Sequence, residues 1–391
     1  MPIRESVGSH ASDDAAAKTG DLDLLAEILP VYARRPYALI ESIPAGLGTR
    51  RFYRVHFTDG PPESLVARVE SQAGAEAEIQ AKKDAEAIGE RELPDAPAWL
   101  PEPPLEPLRQ FLEDAGLRVP HSIAHLPERG VDLLEDVGER TLMQTDEPER
   151  SQRYREACQI VPRLQKLSAS PERIPAFGRI FDRQLIDTKA WKWLHWTIPG
   201  LLDRPATQEE SRSFHELVEG FSALLDEAPR RLAHRDFKAE NLHLVPHATA
   251  PGSVGEQEEC EIVMIDVQGA FMAPPEYDLV CLLYDLQVDL DERFAMECFG
   301  STLADLPDSP DPKLAALRFD AIATLRLCKD ISHLVHARLS RNDARRWHEI
   351  PRGLAILERL MGRLSRTFPE AQALNSVIQT LTLAASSSDS G

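Results

Sequence analysis

An α+β chain of two lobes, an antiparallel β-rich N-terminal lobe followed by a mainly helical C-terminal lobe, is the architecture this sequence predicts. The hydrophobic period changes along the chain: up to residue 138 short β-prone runs alternate with Gly- and Pro-rich breaks, and beyond residue 141 apolar residues recur at helical spacing. The length, 391 residues, suffices for two lobes with cores of their own. Hydrophobic residues at 42% and charged residues at 28% match an ordinary globular composition.

Taken in order, residues 1–20 are rich in Ser, Ala, Asp and Gly and are expected to be disordered, as is the Ser-rich tail 385–391. From Asp21, a possible N-cap, Leu22, Leu24, Leu25, Ile28 and Leu29 predict a short amphipathic helix. Residues 38–43, 52–58 and 64–70 are β-prone and separated by turn-forming stretches, which predicts a meander. Residues 70–90 are Ala/Glu/Lys-rich and read as helix, and 94–107 as a Pro-rich insert without regular structure. A helix over 108–115 ending at Gly116, then a strand pair over 122–126 and 130–135, completes a first lobe of residues 21–138. The second lobe, 139–384, is expected to carry helices over 149–168, 179–196, 209–228, 312–339 and 352–366, interrupted by short strands at 242–245 and 261–265.

Charge and cysteine usage exclude several functions. Subtracting 64 acidic from 44 basic residues gives −20, a field that repels phosphate backbones and anionic lipid, so neither nucleic acid nor membrane is an expected partner. No apolar run approaches the roughly 18 residues that span a bilayer, and the first 20 residues lack an apolar signal core, so a cytoplasmic location is expected. Five scattered cysteines without a C-x-x-C pair argue against a disulfide framework or a zinc site and read as small core residues.

The chemistry concentrates in His234-Arg235-Asp236-Phe237-Lys238-Ala239-Glu240-Asn241, which fits H-R-D-x-x-x-x-N, the catalytic loop of kinase-like phosphotransferases. Phosphoryl transfer is catalysed mostly by positioning and charge neutralisation, so an Asp must hold the attacking hydroxyl while an Asn one turn later ligates Mg²⁺. Asp236 is then the base, flanked by His234 and Arg235, and Asn241 a metal ligand. The apolar strand ending at Ile265 delivers a second carboxylate, Asp266, suited to a hard cation bridging nucleotide phosphates. The alternative reading is a surface cap whose carboxylates are satisfied locally; loop, strand and second Asp together weigh against it.

The run from Leu232 to Leu244, with Ile265-Asp-Val-Gln-Gly-Ala and Pro274-Pro-Glu-Tyr-Asp-Leu, resembles the aminoglycoside phosphotransferase/choline kinase superfamily. Within it the chain is most similar to bacterial anomeric kinases of N-acetylmuramate and N-acetylglucosamine, a likeness supported by Gly48-Thr-Arg-Arg-Phe-Tyr-Arg-Val, the run from Phe111 to Pro120, the run from Asp132 to Leu142 and Phe181-Asp-Arg-Gln-Leu. The resemblance implies a bilobal protein-kinase-like fold, ATP and Mg²⁺ as cofactors, a sugar acceptor in cell-wall sugar recycling, and a bracing role for Asp278. As a residue, Asp278 equally fits a helix N-cap before 279–286. A protein kinase shares the loop, and Lys238 stands where many protein kinases place a lysine near the transferred phosphate. The short chain between Asp266 and Asp278 leaves little for a peptide-docking segment.

The nucleotide-binding half departs from the kinase pattern. Gly46, Gly48 and Thr49 lie in a loosely Gly-rich turn, and the strand that carries a lysine in protein kinases here ends in Arg68. Arg68 reads either as a phosphate clamp or as the partner of a carboxylate such as Glu76 or Glu78, with Arg50, Arg51 and Arg54 available instead. Adenine is expected near residues 133–137, around Glu135. Candidates for holding the acceptor are Arg235, Glu240 and Gln268, with Asp187, Asp330, His333 and Arg338 on later helices; Trp191, Trp193 and Trp196 are either packing residues or a sugar platform. Three readings compete with the amino-sugar kinase: an aminoglycoside or choline-like kinase, a nucleotide-binding pseudokinase, and a protein kinase. Oligomeric state is not legible.

Overall fold

The computed structural model describes residues 7–44, 50–70, 103–246 and 260–388, and its chain divides into two compact units. The first takes residues 1–89 and 120–138 and the second residues 90–119 and 139–391. The mixed α+β class expected from the sequence is what the structure has, with an antiparallel sheet in the first unit and mostly helices in the second.

In the first unit, five strands, β1 (Tyr37–Ile43), β2 (Arg51–Phe57), β3 (Ser64–Val69), β4 (Ser122–Leu126) and β5 (Val131–Glu135), form one antiparallel sheet in the order β1-β2-β3-β5-β4. Strand alternation sorts its side chains: Tyr53, Val55, Leu65, Ala67, Val69, Val131 and Leu133 share one face and are buried. Leu25, Ile28 and Leu29 of helix α1 (Val7–Tyr32) cover that face. Each such side chain contributes about 1.5–3 kcal/mol on leaving water. The helix begins at Val7, where the sequence predicts disorder up to residue 20. The Ala-rich stretch 15–17 has high helix propensity and continues the turn inward. Asp21 is therefore inside the helix and caps nothing; its buried carboxylate takes the Arg51 guanidinium and the Tyr53 hydroxyl at 2.7 Å. Gly130 turns β4 into β5 at φ 64°, and a Cβ there would stand 2.0 Å from the Glu70 carbonyl oxygen, so only glycine fits.

The second unit opens with α2 (Leu108–Asp114), which the sequence places in the first lobe. The chain after it lies along the strand Cys260–Met264, where the Met264 N–H donates to the Arg118 carbonyl at 2.9 Å and Arg118 pairs with Glu261 at 2.9 Å. Helices α3 (Glu149–Gln165), α4 (Arg183–Lys192), α5 (Ile198–Leu202), α6 (Gln208–Asp226), α7 (Tyr277–Leu283), α8 (Glu292–Leu303), α9 (Pro312–Arg341), α10 (Ile350–Leu364) and α11 (Glu370–Ser388) follow. A π turn over Trp193–Thr197 joins α4 to α5. The long α9 packs against α4, α7 and α10, and its Arg318 makes a buried forked ion pair with Glu276 at the start of α7, the shortest contact being 2.6 Å. Two antiparallel pairs, β6 (Arg231–Ala233) with β9 (Phe271–Ala273) and β7 (Leu242–Pro246) with β8 (Cys260–Met264), carry the catalytic segments.

The structure corrects the sequence reading at several elements. It has α8, α11, β6 and β9, none of which the sequence predicts, and α11 runs through Ser388 into the tail expected to be disordered. The expected helix 179–196 starts only at Arg183, where Asp182 caps it by accepting from the Leu185 N–H at 3.0 Å. The helix expected over 70–90, most of the Pro-rich insert and most of the 246–259 loop lie outside the described residues. All five cysteines are buried and unpaired, as expected for core residues. Among the described residues no helix is long and apolar enough to cross a membrane.

Candidate active site

The loop between β6 and β7 is held from several sides. Its backbone bends at Arg235, whose φ of 80° is a conformation that non-glycine residues adopt rarely and at a cost of roughly 1–3 kcal/mol. The buried carboxylate of Asp278, in the first turn of α7, accepts from the His234 N–H at 2.7 Å and the Arg235 N–H at 3.1 Å. The Arg235 carbonyl in turn accepts from the Cys281 thiol at 3.2 Å and the Arg326 guanidinium at 3.4 Å. Phe237, fully buried, anchors the far side. Helix α7 begins at Tyr277, so Asp278 sits within the helix and its carboxylate serves the loop. Burial pushes the Asp278 carboxyl up to about 6, against the pull of His234, the two N–H groups and Arg326.

The same segment is tied to the end of β8. His234 Nε2 lies 2.9 Å from the Ile265 carbonyl oxygen, and the Ile265 N–H donates to the Asn241 carbonyl at 3.0 Å. Asn241 donates its amide Nδ2 to the Asp236 carbonyl at 2.8 Å. Asp266 follows at φ 63°, and the Gln268 amide donates to its Oδ1 at 2.5 Å. The structure thus brings His234, Arg235, Asp236, Asn241, Asp266, Gln268 and Asp278 into one connected network. His234 touches Ile265 and the loop backbone, which makes it a positioning residue.

These residues suit a hard cation. Asn241 uses its nitrogen on the loop, which leaves the amide oxygen as ligand atom, and Asp266 has a second carboxylate oxygen beyond the one Gln268 engages. Among the described residues no three His, Cys, Asp or Glu side chains cluster as a full metal cage. A sparse oxygen set fits Mg²⁺, which keeps waters and takes its remaining ligands from phosphates.

Asp236 lies in a strongly cationic surrounding. Burial works to raise its pKa, but Arg326, Lys329, Arg235 and Lys238 together hold the carboxyl well below the usual carboxylate range. Arg326 Nη1 approaches one carboxylate oxygen at 3.9 Å and Arg235 Nε the other at 4.0 Å, while the side chain stays 31% exposed. It is a permanently ionised acceptor that still reaches solvent. Lys238 is paired with Glu240; burial opposes its charge, and Glu240 keeps it protonated.

Other expected site residues have structural partners. Arg68 is paired with Asp132 at 2.5 Å, its cross-strand neighbour on β5, and with Glu70 at 2.7 Å. The carboxylate-partner reading of Arg68 therefore describes it, with partners other than Glu76 or Glu78, which lie outside the described residues. Arg51 is drawn to Asp21 of α1 and Arg54 to Asp136 at 2.6 Å. Glu135 spends its N–H on the His121 carbonyl at 2.9 Å and its carboxylate on the His121 N–H at 3.0 Å. Gly46, Gly48 and Thr49 lie outside the described residues. Asp187 pairs with Arg183 at 2.7 Å, and Arg338 stacks 4.2 Å over Trp347. Trp193 is fully buried against Phe214, whereas Trp191 stacks on His195 and Trp196 on His336.

Sequence reasoning misses Arg326 and Lys329 of α9 and Lys189 and Lys192 of α4. The one signal for Arg326 is its spacing: it precedes the candidates Asp330 and His333 at i, i+4 and i+7, as residues of one helical stripe do.

A sequence model of the family described as "Phosphotransferase enzyme family" matches residues 40–312, more than half of the chain. No curated protein matches the chain in sequence. Among solved structures, an AMP-bound spectinomycin phosphotransferase is similar with a TM-score of 0.52 at 14% identity, over 84% of this chain and 94% of that one. LicA in complex with AMP gives 0.52 at 13% identity, over 86% and 96%; LicA is also described as a choline kinase from Streptococcus pneumoniae. Spectinomycin phosphotransferase with ADP and spectinomycin gives 0.51 at 13%, over 93% and 98%. At these identities the likeness is one of fold, and the fold is kinase-like.

Proposed function

This chain belongs to the phosphotransferase enzyme family, and from that premise we propose that it transfers the γ-phosphoryl group of Mg-ATP to a hydroxyl of a small molecule, the anomeric hydroxyl of an amino sugar such as N-acetylmuramate or N-acetylglucosamine. The observation that carries the reading is the Asp236 carboxylate, ionised between Arg326 and Arg235 and joined through Asn241 to the turn that bears Asp266.

Asp236 accepts the hydrogen bond of the acceptor hydroxyl and aims its oxygen at the γ-phosphorus. The new P–O bond forms as the bond to the β-phosphate oxygen breaks, ADP leaves, and the hydroxyl proton passes to Asp236. A carboxylate held so acidic is a weak base, which suits a loose transition state in which orientation outweighs proton abstraction. Mg²⁺, held by Asn241 and Asp266, would neutralise phosphate charge. Arg326 and Arg235 keep Asp236 ionised, while His234 and Asp278 fix the backbone that presents it.

The acceptor class is supported by the sequence segments that resemble anomeric sugar kinases and by the shortness of the chain after Asp266. Only ten residues, 267–276, including a 3-10 turn at Val267–Gly269 and the three residues of β9, stand between Asp266 and α7, which gives a peptide substrate no activation segment to dock on. The test is mass-spectrometric detection of phosphorylated product, with Asp236→Asn as control: an acid-labile sugar phosphate made only by the parent enzyme supports the reading. Phosphorylated aminoglycoside or choline would replace the acceptor and keep the mechanism. ATP binding without any product would favour the pseudokinase.

A further inference from the structure

Helices α4 and α9 bring several basic side chains together beside the catalytic carboxylate. Arg326 lies between Asp236, at 3.9 Å, and Asp330, at 3.5 Å. Lys329 pairs with Asp330 at 2.7 Å. One turn further along α9, His333 Nε2 lies 2.9 Å from the Lys192 ammonium of α4. Lys189, on the same face of α4 as Lys192, senses Lys329, Arg326, Asp330 and Arg235. Arg235, Arg326 and Lys329 share the carboxylates Asp236, Asp330, Asp278 and Asp285, and Lys238 is matched by Glu240, whereas among the described residues Lys189 and Lys192 make no carboxylate ion pair.

The crowding is visible in the groups themselves. Burial, with Lys329 and Arg235 nearby, lowers the Lys192 ammonium to about 8, and burial with the same kind of neighbours drives Lys189 well below the lysine range. His333 is held well below its usual range by burial and by Lys192, Lys329 and Lys189, so the ring is neutral. Crowding like charges out of water is unfavourable unless an opposite charge arrives. A cationic acceptor would add to the repulsion; an anionic one relieves it. The run from Arg326 to His333 along α9 spans about 10 Å at 1.5 Å per residue, roughly the width of a sugar ring with one substituent.

We propose that Lys189 and Lys192 of α4, together with Lys329 of α9, bind an anionic group of the acceptor, so that the molecule phosphorylated is a hydroxyl compound bearing a carboxylate or phosphate remote from the reacting oxygen. This rests on the small-molecule kinase reading above and narrows its acceptor class. Within that reading it separates N-acetylmuramate, which carries a carboxylate, from N-acetylglucosamine, which does not.

The test has two arms. In the first, inorganic phosphate is titrated into the full chain with its nucleotide site saturated by Mg-ADP, and tryptophan fluorescence is followed, since the Lys192 ammonium lies 5.3 Å from the Trp196 ring centre. Saturable binding is expected in the parent protein, weakened at least about ten-fold in Lys192→Met and in Lys189→Met. Absent binding, or binding unchanged in both variants, overturns the proposal. In the second arm, kcat/KM is compared for N-acetylmuramate and its neutral methyl ester. The acid is expected to be preferred by about ten-fold or more, mainly through KM, with the preference abolished by Lys192→Met. Preference for the ester or for a cationic acceptor overturns the proposal while leaving the kinase standing. Lysine-dependent phosphate binding with no acceptor phosphorylated would overturn the kinase reading and leave the anion site in place.

Discussion

Asp236 and Asp278 are both carboxylates of one loop network, and their surroundings push them in opposite directions. Cations hold Asp236 ionised, so replacing it with Asn should lower kcat by at least about a thousand-fold while nucleotide binding, measured by ADP titration, changes little. Equal loss of ADP affinity would contradict its placement at the transferred group. Asp278 is raised to about 6, first by burial, which means the folded protein binds this proton more tightly than the unfolded chain does. Its penalty is therefore absent below about pH 4 and fully present above about pH 6. In Asp278→Asn the stability lost between those pH values, on the order of 2–3 kcal/mol, should disappear from urea midpoints recorded across that range. An unaltered pH slope would contradict it. Lys192 works the other way: with its ammonium lowered to about 8 and Lys329, Arg235, Asp330 and His333 around it, the KM for an anionic acceptor should rise as pH climbs through about 8. A KM flat to about pH 9.5 would remove Lys192 from that role.

Helices α7 and α9 make the platform on which the loop rests, and their joint is the buried Arg318–Glu276 pair. Removing one partner leaves the other charge buried alone. Arg318→Met should cost about 3–5 kcal/mol in urea unfolding, and the double change with Glu276→Gln much less. Additive losses would show that the two side chains act independently. In the first unit, α1 contributes Leu25, Ile28 and Leu29 to the apolar core on one sheet face, so Leu29→Ala should cost about 2–5 kcal/mol. These elements also show what is legible in the sequence. The meander β1-β2-β3 and the hairpin β7-β8 are predictable because alternation and turn residues are local signals. The three-residue strands β6 and β9 carry too few residues for a period to register, and α11 ends in Ser-rich sequence whose composition masks its helical face.

The two compact units place all the described catalytic network in the second, within residues 234–278 apart from Arg326 and Lys329. Contiguity explains why Asp236, Asn241, Asp266 and Asp278 are recognisable in the amino-acid sequence alone: their spacing along the chain is imposed by the chemistry. The cationic cluster is not, because Lys189 and Lys192 are separated from Lys329 by well over a hundred residues and meet only through helix packing. The ion pairs of Arg51, Arg54 and Arg68 are hidden for the converse reason, since a strand arginine looks identical in sequence whether it faces a phosphate or a cross-strand carboxylate such as Asp132. A net charge of −20 over the chain likewise hides a local gathering of basic side chains. The measurement that bears most directly on the whole account is phosphate transfer from Mg-ATP to a panel of N-acetylmuramate, N-acetylglucosamine, aminoglycosides and choline, read by mass spectrometry with Asp236→Asn in parallel. The account predicts a phosphorylated amino sugar, N-acetylmuramate ahead of N-acetylglucosamine, and no product from the variant. Product formed equally well by Asp236→Asn would contradict it.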